Sequence, residues 1–131
     1  MLRLRVLGEL AIELDGRALE APPARPARAL LGWLALNPGV HPRARVAARL
    51  WPDVLDESAR ASLRTALHAL RRALGGAPQL VATRDGVGLA GELWIDVRAF
   101  DELAAAGRLG EALELGRAGE LLTGLEDEWV L

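Results

Sequence analysis

The order of local patterns predicts an α+β fold: a small antiparallel sheet, three helices, a β-hairpin and then a short helical segment. Three observations predict it. Apolar residues alternate with period 2 at the N-terminus. They switch to helical spacing between Pro26 and Leu74, and a glycine-marked hairpin pattern follows.

Leu2, Leu4 and Val6 alternate with Arg3 and Arg5, which reads as a strand with one buried face. Leu10, Ile12 and Leu14 repeat the pattern. Asp15-Gly16 is a two-residue hairpin signal, and Arg17 to Glu20 reads as the return strand. Pro26 suits the first turn of a helix, where its missing N–H costs nothing. Leu30, Leu31, Trp33 and Leu34 give that helix a wide apolar stripe, and Asn37-Pro38-Gly39 stops it. Pro42 again suits a first turn, and Val46, Ala47 and Leu50 form a short second helix ended by Trp51-Pro52-Asp53. A third helix is expected from about 58 to 74, capped by Asp56 or Ser58 and stopped by Gly75-Gly76. Residues 76–97 read as a hairpin, with strands at Gln79 to Thr83 and Val87 to Leu89 around Asp85-Gly86, and a further apolar stretch at Leu93 to Val97. Phe100, Leu103 and Ala104 begin another helix, broken at Gly107 to Gly110 and followed by a second around Ala112 to Leu115.

This order is that of a winged helix-turn-helix, with the hairpin as the wing. The expected division is a winged-helix domain over 1–97 and the start of a helical domain over 98–131. At 131 residues there is room for one ordinary domain, or a small one and a fragment of another. There is no cysteine, which excludes disulfides and thiolate metal sites. The two histidines lie far apart with no ligand set around them. Glu126, Asp127 and Glu128 read as a solvated turn, and Gly86-Val87-Gly88 lacks the setting of a phosphate loop. No nucleophile–base pair is visible, so no enzyme, cofactor, metal or small-molecule substrate is expected. No apolar run approaches the roughly 20 residues that span a bilayer, and the N-terminus lacks a signal-peptide core. A cytoplasmic protein is the expectation.

The net charge of −2 hides an asymmetry. Residues 1–75 carry 12 arginines and 7 acids, a net of +5; residues 76–131 carry 4 arginines and 11 acids, a net of −7. Opposite signs in the two halves suggest two surfaces, the first facing a polyanion.

The third helix sharpens this. On a wheel of about 100° per residue, Leu63, Leu67, Leu70 and Leu74 share one stripe. Thr65, His68, Arg72 and Ala61 fall opposite, and Arg60, Arg64 and Arg71 flank the stripe on one side, with Arg60 also an expected DNA contact. No acid lies between Ser58 and Leu74. A helix fits the major groove of B-DNA, where arginine can fork onto guanine or bind phosphate, and threonine can meet a thymine methyl or a phosphate. In an arginine-rich chain the same face could also be a solvated amphipathic surface. His68 is either a DNA contact or a solvated histidine, and His41 reads as structural. Trp33, Trp51 and Trp94 read as core or subdomain contacts, and Trp129 as packed against the acidic C-terminal helices or left exposed by truncation.

Several stretches, in order over nearly the whole chain, resemble the Streptomyces antibiotic regulatory protein family. They are Leu4-Arg5-Val6-Leu7-Gly8, Ala29 to Leu36 with Pro38-Gly39, Leu50-Trp51-Pro52-Asp53, Ser58 to Arg64, and Leu70-Arg71-Arg72-Ala73-Leu74. Asp96-Val97 with Phe100, and Gly119 to Leu125 before Trp129, complete the set. The resemblance implies an OmpR-type winged helix joined to a bacterial transcriptional activator domain, here with only about one helix pair of it. It implies sequence-specific binding of double-stranded DNA through Arg64, Thr65, His68, Arg71 and Arg72, with Arg84 in the wing. RNA polymerase and a second copy of the chain are the protein partners it suggests. Gly86-Val87-Gly88-Leu89 stands where the family's wing often carries a Gly-Tyr pair before an arginine. The competing reading is a protein-interaction module without DNA binding. A continuous cationic surface across the third helix and wing would favour DNA; neutralisation of that surface by acids would favour a protein.

Overall fold

A computed structural model describes residues 1–105 and 107. The first three strands are β1 (Leu2–Arg5), β2 (Ala11–Leu14) and β3 (Arg17–Leu19). β1 and β2 pair antiparallel with Leu2 opposite Leu14 and Leu4 opposite Ile12, so the alternating apolar residues share the buried face. Asp15 and Gly16 both take positive φ, 52° and 83°, as a primed hairpin turn requires.

The helices are α1 (Arg25–Leu36), α2 (Arg43–Leu50) and α3 (Asp56–Ala73). Pro26 lies at the start of α1 as expected. Asn37 ends α1 by turning its side-chain amide back to donate to the Trp33 carbonyl at 2.8 Å. Leu30, Leu31 and Leu34 of α1 meet Val46 and Ala47 of α2 and Leu63, Leu67 and Leu70 of α3 in one apolar cluster. The 4-3-4 leucine spacing of α3 is therefore the core-facing stripe.

Four local expectations need correction. Pro42 does not lie in the first turn of α2; it is the N-cap and the last residue of an additional strand, β4 (Gly39–Pro42). A strand of four residues ending in proline shows no period of its own. It exists because β6 (Gly86–Leu89) lies beside it, and as an edge strand it tolerates the proline. Second, α3 begins at Asp56 with Leu55 as N-cap, so neither Asp56 nor Ser58 is the cap. Asp56 and Glu57 instead occupy the first turn, where their charge favours the helix dipole. Third, residues 76–97 are not one hairpin. β5 (Leu80–Ala82) and β6 (Gly86–Leu89) form it, and β4 joins to give the order β4-β6-β5. The next strand, β7 (Leu93–Ile95), leaves the wing and pairs parallel with β1, completing a sheet of order β3-β2-β1-β7. A parallel partner needs a long crossover, which the three helices and the hairpin supply. Fourth, α4 (Asp96–Ala105) starts directly after β7, not near Phe100, and runs across the expected boundary at 97/98. The expected helix around Ala112 to Leu115 and the placement of Trp129 lie outside the described residues.

Two side chains hold the start of α4. Asp96 is 1% exposed. A buried carboxylate needs partners, and it accepts from the N–H groups of Val6 at 2.9 Å, Leu7 at 3.1 Å and Val97 at 2.8 Å. Arg98 donates through Nε to the Ala35 carbonyl at 2.9 Å and through a terminal nitrogen to the Leu34 carbonyl at 3.1 Å. Those carbonyls belong to the last turn of α1, so the cation also meets the negative end of that helix. Burial lowers the pKa of Arg98 from its ordinary value.

The wing is held as tightly. A Cβ added at Gly88 would lie 2.3 Å from the Gly39 carbonyl oxygen and 2.7 Å from the Val40 Cα. β4 can approach β6 only because residue 88 has no side chain.

Three stability predictions follow from this packing. Leu67 is 4% exposed, and Leu67→Ala should cost about 2–5 kcal/mol in urea unfolding through the cavity it leaves. Gly88→Ala must move the main chain of β4, and about 1–3 kcal/mol of overpacking cost is expected in the same assay. Asp96→Ala should cost about 1–3 kcal/mol for each N–H it leaves buried without an acceptor, and Asp96→Asn distinctly less because an acceptor oxygen remains. A melt of Asp96→Ala that overlays the parent would show that water replaces the carboxylate.

Candidate nucleic-acid interface

The hairpin turn between β5 and β6 is Thr83-Arg84-Asp85-Gly86. The Thr83 hydroxyl accepts from the Gly86 N–H at 2.9 Å, and the Thr83 N–H donates to the Gly86 carbonyl at 2.9 Å. This closes the turn and sets Arg84 at its exposed tip. The tip is tied to the helix-turn-helix by a main-chain bond of 2.9 Å from the Arg43 N–H to the Asp85 carbonyl.

A cleft of about 550 Å³ opens beside this junction. Arg60, Leu63 and Arg64 of α3 line one wall. Pro42, Arg43 and Ala44 line another, and Arg84 and Asp85 come from the hairpin. Arg60, Arg64 and Arg84 are exposed and Arg43 is half-buried. Among the described residues none of these four guanidinium groups forms a salt bridge or a hydrogen bond. Asp85 is the one carboxylate among the lining residues.

The expected contact residues divide into three groups. Arg60, Arg64 and Arg84 meet in the cationic cleft. Thr65 lies on the other flank of α3, lining a second cleft of about 310 Å³ with Ala24, Pro26, Trp51, Ala61 and Ser62. Its hydroxyl donates to the Ala61 carbonyl at 3.1 Å, which leaves its methyl group and lone pairs for a partner. His68, Arg71 and Arg72 are exposed along the rest of α3 and line neither cleft. Arg71 and Arg72 lie in the last turn, where their charge also offsets the helix dipole.

Two features depart from the sequence reading. Arg43 carries no mark of the site in the sequence, although it shares the cleft with Arg60, Arg64 and Arg84. Its one available signal was its place after Pro42 at a helix start, which says nothing about the hairpin folding back beside it. The acid-free face of α3 also begins one turn inside the helix, since Asp56 and Glu57 are exposed in its first turn. The other aromatic and histidine residues have structural settings. Trp33 is buried and meets His41 edge-on, with ring centroids 4.9 Å apart, and His41 Nε2 lies 2.9 Å from the Asn37 carbonyl. Trp94 lies outside the core. It is half-buried on the outer face of the first sheet, with the Arg3 and Arg5 guanidinium carbons 4.8 and 5.4 Å from its ring centre. No helix among the described residues is long and apolar enough to cross a membrane.

No protein-family model matches the chain, and no curated protein matches it significantly. Among solved structures it is similar to Mycobacterium tuberculosis EmbR, determined in complex with a low-affinity phosphopeptide, with a TM-score of 0.67 and 28% sequence identity. The match covers 98% of this chain and 39% of EmbR, so the chain spans well under half the length of that protein. Helices, hairpin and mixed sheet together form a winged-helix fold of the kind found in EmbR.

Proposed function

We propose that this chain is a sequence-specific double-stranded-DNA-binding transcription regulator without catalytic activity. The observation that carries the reading is the cleft where arginines from α2, α3 and the hairpin converge without ion-pair partners among the described residues. Acid neutralisation of that surface would have favoured a protein partner; a single carboxylate lines it against four guanidinium groups. The likeness to EmbR supports a regulator of this kind. In this reading the exposed face of α3, with Arg64, Thr65, His68, Arg71 and Arg72, lies in the major groove. Arg60 lies at the edge of that face, and the hairpin brings Arg84 to the backbone.

Residues 98–131 carry three arginines against eight acids. Placing them against phosphates would be repulsive and would forfeit counterion release. In this reading they begin a helical activator-type module that stays off the DNA and contacts protein: further helices of its own domain, a second copy of the chain, or RNA polymerase.

Selection from random duplexes by gel shift tests the reading directly. The chain should enrich a defined sequence. Arg72→Ala should weaken binding to that sequence by about 1–3 kcal/mol at moderate salt, and Arg84→Ala should weaken binding to all duplexes alike and make the salt dependence shallower by about one. Failure to enrich any sequence, or unchanged affinity in both variants, would sink it.

A further inference from the structure

The cationic cleft has a property that DNA binding in general does not require. Arg60 and Arg64 stand one turn apart on α3, where like charges disfavour the helix. Arg43 and Arg84 bring two more guanidinium groups to the same cleft from different elements. The Arg43 Nε is buried without a hydrogen-bond partner among the described residues. A buried donor without an acceptor costs stability, and so does a cluster of four like charges that, among the described residues, forms no ion pair and has only the Asp85 carboxylate beside it. An anion with several acceptor oxygens, seated in the cleft, turns both costs into gains. Guanidinium groups suit such oxygens because they donate in a planar fork.

We propose that this cleft seats one phosphodiester of the DNA backbone, and that Arg43 is a contact residue of that seat. The inference rests on the DNA-binding reading and assigns roles within it. Arg43, Arg60, Arg64 and Arg84 hold the backbone and carry little sequence information. Base reading then falls to the strip of α3 turned farthest from the core: Ala61, Thr65, His68 and Arg72, all exposed. Arg64 accordingly positions the helix and does not choose the base.

The test uses the full chain, a selected duplex and a scrambled one. Arg43→Ala should weaken binding to both duplexes by the same factor, leaving their affinity ratio unchanged. It should also make the plot of log affinity against log salt shallower by about one. Duplexes carrying one neutral methylphosphonate linkage at each position in turn then locate the seat. At a single position the neutral linkage should weaken the parent chain and abolish the difference in affinity between it and Arg43→Ala. Unchanged affinity for Arg43→Ala overturns the proposal, as does a loss confined to the selected duplex, which is the signature of base reading. Should Arg43→Ala fail to fold, Arg84→Ala takes its place. Its loss must vanish at one methylphosphonate position, and losses that add at every position overturn the seat. A parent chain that selects no duplex at all overturns the DNA-binding reading itself, which keeps the two failures apart.

Discussion

The pairing of β4 with β6 is the constraint on which the rest of the site depends. Four residues between α1 and α2 could have been a simple turn. They are instead an edge strand whose partner comes from beyond α3, with Val40 opposite Gly88 and His41 opposite Val87. This one antiparallel pair fixes the hairpin relative to the helix-turn-helix. Without it, Arg84 would ride on a two-stranded ribbon free to swing, since an isolated hairpin is marginal in water. With it, Arg84 shares a cleft with α3. The close approach at Gly88 and the Arg43–Asp85 main-chain bond are local expressions of that pairing.

Much of this fold could be read from the residues alone, and the misplaced strands have a common cause. The alternating N-terminal strands, the Asp15-Gly16 turn, the three helices and the α3 leucine stripe are all local periodicities or local turn chemistry, and they appear where expected. The misplaced strands depend on partners distant in sequence. β4 is created by β6, and β7 is drawn from the wing to β1 by hydrogen bonds across some 90 residues. The site shows the same division. A helical wheel puts Arg60, Arg64 and Arg71 on one flank because the wheel is a local object. It cannot show that Arg84 and Arg43 reach the first two and not the third. Trp94 departs from the expected core setting for a related reason: its side of β7 is set by the register against Arg3, which no local pattern states.

Charge is distributed along α3 in a way that serves the helix and its surface together. Asp56 and Glu57 in the first turn and Arg71 and Arg72 in the last both oppose the helix dipole. The cost is two carboxylates at the end of the helix where a groove-binding helix commonly meets DNA. The arginines begin one turn later, at Arg60, beside the hairpin. In the proposed DNA-binding reading, a helix entering the groove side-on, with its middle turns against the bases, accommodates both facts.

The start of α4 has a consequence for how such a module can be joined to others. Asp96 belongs to the first sheet by its hydrogen bonds, and Arg98 belongs to α1. A recombination breakpoint between residues 97 and 98 would keep the carboxylate and discard the guanidinium. Two carbonyls at the end of α1 would then lose their donors, along with the cation that faces the helix's negative pole. A breakpoint beyond Ala105 preserves both. Gene fusions that reuse this winged helix in front of a different partner are therefore constrained to inherit the first turns of the helix that follows it.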